Sequence, residues 1–277
     1  MPATLYVVAT PLGNLGDLSP RAAEVLRTVP VVAAEDTRRT RGLLAHLGAD
    51  PSLLSFHAHS NERRLETILD ILGDGRDVAL CSDAGTPGVS DPGPDLVAAA
   101  RERGFAVVPI PGPSAVATAL SAAGLQGDRY LFLGFLPRKG GDRHRLLQRA
   151  AAEEWSVVLF EAPQRLVALL EDLAAVAGPD RRAFVARELT KLHEELRAGT
   201  LAELAAHFAE TSPRGELTVV VEGTGAPASP PDRSEEALEV AAELLAEGVS
   251  RREVARRLTE THGLSRNDAY RLVTGLS

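Results

Sequence analysis

The residues best suited to hold a ligand lie in one stretch, Asp77 to Gly93, which reads DVALCSDAGTPGVSDPG. Its apolar run, Val78 to Leu80, predicts a buried strand, and turn residues follow at once. Glycine permits backbone conformations that other residues avoid, and proline fixes the chain, so this segment is a shaped loop. Ligands in α/β proteins bind beyond the carboxyl ends of strands, and we therefore predict a binding site here.

Similar loops follow other predicted strands. The carboxyl ends of parallel strands share one sheet edge, so loops distant in sequence can line one cleft. We expect backbone groups to dominate this cleft, helped by the free amides of the helix that starts after Ser114. The four loops are Thr10-Pro11-Leu12-Gly13-Asn14, Asp83-Ala84-Gly85-Thr86-Pro87, Pro111-Gly112-Pro113-Ser114 and Leu136-Pro137-Arg138.

The usual nucleotide fingerprints are absent from the sequence. No G-x-G-x-x-G follows the first strand, and no G-x-x-x-x-G-K-[ST] occurs, which disfavours dinucleotide and P-loop sites. A cofactor with carboxylate, amine, ribose and adenine parts suits a cleft rich in backbone donors and acceptors. S-adenosylmethionine is one such molecule.

The sequence gives little support for a metal site or for a nucleophilic catalytic residue. His57 and His59 share a face if the segment is a strand, but no third ligand is apparent, so we expect no metal. Cys81 is the only cysteine, and it is better explained as a small buried residue than as a nucleophile. No Ser, His and acid arrangement has a nucleophile-elbow context.

The charge pattern limits the nucleic-acid hypothesis. The 30 Lys and Arg residues against 38 Asp and Glu give a net charge of −8, which argues against a protein that coats nucleic acid indiscriminately. A local basic cluster follows one of the loops, where contact with phosphate and a solvated helix face are equally good explanations. It comprises Arg138, Lys139, Arg143, Arg145 and Arg149.

The order of elements predicts the architecture. Strands and helices alternate through residues 1–111, which predicts a mainly parallel sheet covered on both faces. A second α/β domain is expected over 112–223, followed by a Pro-rich linker over 224–233 and a helix-turn-helix-like tail over 234–277. The predicted strands are Thr4–Ala9, Val31–Ala34, Leu53–Ala58, Val78–Leu80, Ala106–Ile110, Tyr130–Pro137, Trp155–Ala162, Arg182–Arg187, Glu194–Ala198 and Glu216–Glu222.

No apolar run reaches membrane-spanning length, and the first residues lack the basic region of a signal peptide. The expected location is the cytoplasm. From Arg251 onward, six arginines of the tail exceed its three acids, so the tail could contact nucleic acid or simply pack.

Several segments together resemble a known family. TPLGNLGDLSPRA, AEDTRRT, FHAHSNE, SDAGTPGVSDPG, PIPGPSA, GFLPRK, FEAPQR and RELTKLHEE, in this order, are similar to the RsmI family of 16S ribosomal RNA cytidine 2′-O-methyltransferases. The resemblance extends from Leu5 to about Gly223. It places the chain in the tetrapyrrole-methylase-like superfamily (class III methyltransferases), in which two α/β domains hold S-adenosylmethionine in the cleft between them, usually as homodimers.

The resemblance also implies a substrate and site residues. The substrate would be the ribose of cytidine 1402 of 16S RNA in the 30S subunit. Pro11 to Asn14, Ser82 to Pro87 and Gly112 to Ala115 would line the cofactor cleft. With an RNA substrate, the basic cluster found from the charge pattern predicts the contacts to RNA, at Arg138, Lys139, Arg143 and Arg145.

A ribose hydroxyl is barely ionised at neutral pH, so a general base would assist the reaction. The sequence leaves its identity open, and for Lys191 the role requires that burial remove the proton. Two alternative functions also remain, a small-molecule tetrapyrrole methylase and a ligand-sensing DNA-binding regulator. The candidate bases are Glu35, Asp36, Asp83, Glu161, Glu188 and Lys191.

Overall fold

A computed structural model describes residues 3–57, 62–211, 213–225, 233–246, 249–262 and 266–274. The chain forms two compact units, Met1–Thr224 and Gly225–Ser277. The first unit contains two five-stranded sheets. The boundary predicted between residues 111 and 112 falls inside this unit and stays a prediction.

The first sheet is entirely parallel, with strand order β3-β2-β4-β1-β5. Its strands are β1 (Thr4–Val8), β2 (Val31–Ala34), β3 (Ser52–Ser55), β4 (Val78–Cys81) and β5 (Ala106–Ile110). The helices in this part are α1 (Pro20–Thr28), α2 (Thr37–Leu47), α3 (Glu62–Gly73), α4 (Pro94–Glu102) and α5 (Ala115–Ala123).

Helices cover both faces of this sheet, as predicted. Successive strand residues point to opposite faces, and β2 shows this because Val31 packs in one apolar cluster and Val32 in the other. The first cluster includes Leu69 of α3, and the second includes Leu26 of α1. Strand β3 is shorter than predicted and ends at Ser55, although the Phe56 amide still bonds to the Ala34 carbonyl at 2.7 Å. Ala58 lies outside the described residues.

The second sheet is mixed, with strand order β6-β7-β10-β8-β9. Strands β6 and β7 are parallel, whereas β10 runs antiparallel to both β7 and β8. The strands are β6 (Tyr130–Phe135), β7 (Ser156–Glu161), β8 (Arg182–Arg187), β9 (Glu195–Thr200) and β10 (Leu217–Val221). The helices are α6 (Gly141–Ala152), α7 (Leu166–Ala177) and α8 (Leu201–Thr211).

The two faces of the second sheet bury different helices. Leu147, Leu169 and Leu204, from α6, α7 and α8, share the larger apolar cluster with strand residues. The opposite face packs against Val116 and Ala119 of α5. Helix α5 therefore follows the last strand of the first sheet yet packs against the second sheet.

The second unit consists of the three helices α9 (Arg233–Ala246), α10 (Arg251–His262) and α11 (Arg266–Thr274) within its described residues. Ala241, Leu258 and Val273, one from each helix, are buried in its small core. Helix α9 begins at Arg233, a residue that the sequence assigned to the linker. No helix in the described part of the chain is long and apolar enough to cross a membrane.

Candidate active site

The strands of the first sheet end at a common level. Val8 is in register with both Cys81 and Ile110, and Ala34 is in register with Cys81. The loops that follow β1, β2, β4 and β5 therefore start at one edge of the sheet. This is the arrangement that the sequence predicts for the Gly- and Pro-rich loops.

Hydrogen bonds join these loops to one another. Thr10 and Gly85 exchange backbone hydrogen bonds of 2.8 and 3.0 Å, and the Thr10 hydroxyl donates to the Ser82 carbonyl at 3.2 Å. The Thr86 hydroxyl donates to the Pro113 carbonyl at 3.1 Å. Three separate loops thus form one connected wall.

This wall borders a cavity of about 390 Å³, which is within the range of small-molecule sites. Residues of both sheets contribute to it, since Phe135 and Phe160 at the ends of β6 and β7 face the loops of the first sheet. The lining residues are Leu12, Glu35, Arg39, Asp83, Ala84, Gly85, Thr86, Val89, Ser90, Asp91, Ser114, Ala115, Phe135, Phe160, Glu161, Ala162, Pro163, Ala186, Leu189, Gly215, Glu216, Leu217 and Thr218.

The predicted cofactor residues divide into lining and supporting groups. Leu12, Asp83, Ala84, Gly85, Thr86, Ser114 and Ala115 line the cavity. The other predicted residues, which do not line it, are Thr10, Pro11, Gly13, Asn14, Ser82, Pro87, Gly112 and Pro113.

The supporting residues hold the loops in place. Gly112 passes so close to Ala9 that a Cβ atom at residue 112 would lie 3.0 Å from the Ala9 Cβ. Gly13 lies against the side chain of Lys191, and the Asn14 amide donates to the Thr190 hydroxyl at 3.1 Å. The contacts of Gly13 and Asn14 hold the loop after β1 against the turn after β8.

An acidic group occupies one side of the cavity. Asp83 accepts the Asp36 amide at 2.9 Å, and its own amide donates to Glu35 at 3.3 Å. Arg39 is the lining cation, and it lies 3.5 Å from Asp83 and 3.9 Å from Glu216. Asp91 lines the same side.

The environment of this group favours protonation. Burial raises the pKa of Asp91 to about 6, and the carboxylates of Glu35, Asp83 and Glu216 add to the rise, whereas the Ser82 hydroxyl opposes it. Burial also raises the pKa of Glu35, and the Asp83 charge adds to this effect. Carboxyl groups with raised pKa values in a cavity are typical of acid–base sites.

Two candidate bases fit a structural role better. Asp36 caps α2 by accepting the Arg38 amide, and hydrogen bonds from the Arg38 side chain and backbone hold its pKa well below the usual range. Lys191 could serve as a base only if burial removed its proton. Burial does favour that loss, but hydrogen bonds to Glu188 (2.8 Å) and Glu216 (3.3 Å) outweigh it and raise the pKa of Lys191, so the amine stays protonated.

Glu188 lies outside the cavity lining. Burial alone would raise its pKa, but the hydrogen bonds from Lys191 and the Glu216 amide lower it. Its backbone has φ of 52°, a left-handed conformation that is rare for a residue other than glycine. Glu188 therefore shapes the turn that supports the cavity.

Glu161 lines the cavity and is 2% exposed. Its Oε1 atom accepts the Ala162 amide at 2.9 Å and pairs with Arg165 Nε at 3.2 Å. The Oε2 atom is buried and has no hydrogen-bond partner. A buried acceptor of this kind is free to accept a hydrogen bond from a bound water or ligand.

The basic cluster contains one buried exception. Arg143 donates to Asp172 at 2.6 and 3.1 Å and to the Pro137 carbonyl at 3.2 Å, and its side chain is only 12% exposed. Arg138 and Lys139 are exposed, and Arg145 pairs with Asp142 at the surface. Arg143 thus joins α6 to α7, and its predicted contact with RNA stays a prediction.

Several lining residues were missed by the sequence reasoning. Asp91 and Ser90 belong to the stretch that it singled out. Phe135 and Phe160 lie two residues before the ends of predicted strands, so position near a strand end was a usable signal. Sequence position gave no such signal for Gly215 to Thr218. Strand β10 is antiparallel to β7, so the start of β10, and not its end, lies beside the cavity. His59 lies outside the described residues, and the described part contains no group of three metal-ligating side chains.

Comparison with known proteins identifies the family. Residues 4–205 match the Tetrapyrrole (Corrin/Porphyrin) Methylases. A Synechocystis protein named Ribosomal RNA small subunit methyltransferase I is 47% identical, over 97% of this chain and 96% of its own. Proteins of the same name from Xylella fastidiosa and Escherichia coli O157:H7 are 50% and 44% identical, over 80% and 96% of this chain and 82% and 93% of theirs.

The chain belongs to the ribosomal RNA small subunit methyltransferase I family. The family resemblance inferred from the sequence motifs is thereby confirmed, and the chain is an enzyme of the methyltransferase class.

Solved structures share the fold of this family member. The methyltransferase CobJ matches with a TM-score of 0.63 at 18% identity, over 80% of this chain and 95% of CobJ. Uroporphyrin-III C-methyltransferase from Thermus thermophilus, solved in complex with S-adenyl homocysteine, matches with a TM-score of 0.58 at 20% identity, over 79% of this chain and 97% of that protein. The predicted architecture of two α/β halves and a helical tail is therefore confirmed.

Proposed function

We propose that this protein transfers a methyl group from S-adenosylmethionine to the ribose 2′-hydroxyl of cytidine 1402 in the 16S RNA of the small ribosomal subunit. Family membership supports the methyl donor and the ribosomal RNA substrate. The observation that carries the proposal is that the predicted cofactor loops meet a group of carboxylates in one cavity. The particular nucleotide and atom rest on the resemblance of the sequence motifs to the family.

The cavity fits the parts of the cofactor. The side chain of Ser114 does not cap α5, so the first-turn amides of this helix are available to a carboxylate. Leu12, Val89 and Leu189 offer apolar contact for adenine. The acidic side attracts the positively charged sulfonium and amine groups.

The protein's main task is to position the reactants. S-adenosylmethionine supplies an already activated methyl group, so holding the ribose oxygen in line with it provides much of the acceleration. The loops that bind the cofactor are joined by backbone bonds and by the Thr86 hydroxyl, which limits their movement. Such preorganisation lowers the entropic cost of alignment.

Exposed cations beside the cavity provide a surface for RNA phosphates. Arg138 and Lys139 follow Phe135, which lines the cavity. Lysine and arginine contacts to phosphate position a nucleic acid without reading its sequence. Action on the 30S subunit would place the protein with ribosomes in the cytoplasm, and the family resemblance favours a homodimer.

The test measures transfer of a labelled methyl group to 30S subunits that lack the modification, followed by mapping of the product nucleotide. We expect incorporation at one cytidine, and none into subunits that already carry the methyl group. Incorporation at a base atom or at another nucleotide would refute the assignment. Methylation of a tetrapyrrole in place of RNA would support the alternative that the sequence left open.

A further inference from the structure

Five carboxyl groups line the cavity, and four of them have fixed partners. Glu35 accepts the Asp83 amide, and Asp83 accepts the Asp36 amide and lies near Arg39. Two more carboxyl groups, on the side of the second sheet, pair with cations: Glu161 with Arg165, and Glu216 with Lys191 and Arg39.

Asp91 is the fifth, and its surroundings differ. Within the described residues, no Lys or Arg side chain forms an ion pair with it. Ser82 is the polar neighbour that favours its charged form. No hydrogen bond of ordinary geometry forms with Ser82, whose Oγ atom is buried and has no partner. Of the five lining carboxyl groups, Asp91 therefore has the fewest hydrogen bonds and ion pairs with the protein itself.

The groups that face Asp91 make it a stronger base than an exposed aspartate. Glu35 approaches from the end of β2, Asp83 from the end of β4, and Glu216 from the start of β10, and all three disfavour its ionisation. Arg39 lies near Asp83 and Glu216 and does not pair with Asp91. A base whose pKa is close to the working pH is the most effective at accepting a proton.

The backbone holds Asp91 in a defined position. The preceding Ser90 has φ of 62°, and its hydroxyl lies against Gly134 of β6, where a Cβ atom would be 2.7 Å away. A left-handed backbone conformation is costly for a residue other than glycine, so it persists only where the surrounding structure enforces it. Such residues cluster at functional sites. The loop that carries Asp91 is thus held against the second sheet.

We propose that Asp91 is the general base of the reaction. This inference rests on the proposed ribose methylation. The ribose O2′ atom forms a bond to the methyl carbon while the carbon–sulfur bond breaks, and the bonding pair leaves with sulfur. The hydroxyl proton passes to the Asp91 carboxylate, which later releases it to water.

The first test compares Asp91→Asn with the natural protein in single-turnover methylation of unmodified 30S subunits. Asparagine preserves the size of the side chain but cannot accept the proton, so we expect the rate to fall about 100-fold or more. Affinity for S-adenosylhomocysteine, measured by calorimetry, should stay within about threefold, because uncharged polar contacts persist. An unchanged rate would overturn the proposal.

The matched control is Asp95→Asn, the same change four residues further on. Asp95 is exposed in the first turn of α4 and does not line the cavity. It should keep the natural rate. Glu161→Gln tests the rival carboxyl group, and a large loss of rate there, with Asp91→Asn still active, would contradict our assignment.

A pH profile of the natural protein requires no variant. The base must be ionised, so the single-turnover rate should rise tenfold per pH unit below about 6 and level off above it. The rise should disappear in Asp91→Asn. A flat profile from pH 5 to pH 8 in the natural protein would refute the role of Asp91.

The outcomes separate the two proposals. If the natural protein methylates no 30S subunits, the proposed function fails. If it methylates them and Asp91→Asn only weakens S-adenosylhomocysteine binding while the rate with saturating cofactor is natural, Asp91 is a cofactor ligand and the inference is wrong. Circular dichroism and the urea midpoint of each variant verify that it is folded.

Discussion

Arg143 illustrates how pairing determines the role of a charged residue. The sequence places it among five neighbouring cations, where all appear equivalent. In the structure its guanidinium group donates to Asp172 of α7 and to the Pro137 carbonyl. Arg145, two residues later, is 76% exposed and has only a surface partner. The two arginines therefore should respond differently to the same substitution.

We expect Arg143→Ala to lower the free energy of unfolding by about 2 kcal/mol, since it removes hydrogen bonds between charged groups and leaves Asp172 without its partner. Urea unfolding measures this change. Arg145→Ala, the control, should cost below about 0.5 kcal/mol because exposed ion pairs contribute little. If Arg143→Ala kept full stability and instead raised the KM for 30S subunits, the predicted contact with RNA would be supported and the structural role contradicted.

At the level of elements, the site depends on loops that meet at one edge of a sheet. Gly85 shows the demands on such a loop, because it has φ of +80° and exchanges backbone hydrogen bonds with Thr10. A Cβ atom there would lie 3.4 Å from the Leu12 side chain, which lines the cavity. Gly75 has nearly the same φ, +78°, but a Cβ atom there would meet nothing within 4 Å.

This pair provides a matched test of the loop. Gly85→Val and Gly75→Val should each cost about 1–3 kcal/mol of stability, because valine is strained in a left-handed conformation. Only Gly85→Val should weaken cofactor binding, by about tenfold, since it alone displaces a lining residue. Calorimetry with S-adenosylhomocysteine measures this affinity. Equal affinities in the two folded variants would remove this loop from the cofactor site.

On the scale of the whole molecule, the chain divides after Thr224 into two compact units. Each unit has its own buried core, the second formed by residues such as Ala241 and Leu258. All the residues that line the cavity lie in the first unit. A protein with a separate core in each unit should tolerate their separation.

We therefore expect a protein of residues 1–224 to fold and to bind S-adenosylhomocysteine with the affinity of the full chain, within about threefold. The reason is that no lining residue and no strand is removed. Calorimetry and thermal unfolding, run beside the full chain, provide the comparison. Loss of binding or of cooperative unfolding would show that the first unit depends on the tail.

Local patterns were enough to identify much of this protein. Apolar runs ended by turn residues located the strands. Ser19 and Pro20 stand at the start of α1 and Gly48 at the end of α2, which are the positions that these residue types favour. The loops that meet at the sheet edge followed from the rule for parallel strands. Strand and helix boundaries depend on residues that are close together in the chain, so short segments of sequence are enough to predict them.

The choice among the charged groups required the folded chain. Asp91 and Arg143 have charged neighbours that come from other elements, and Lys191 pairs with Glu216 at the start of β10 as well as with Glu188 of its own turn. These neighbours determine whether each group is paired, protonated or exposed. The antiparallel direction of β10 brings Glu216 to the cavity, and this direction likewise depends on strand pairing. Such interactions act through space and vary steeply with distance and burial, which is why the order of residues along the chain does not reveal them.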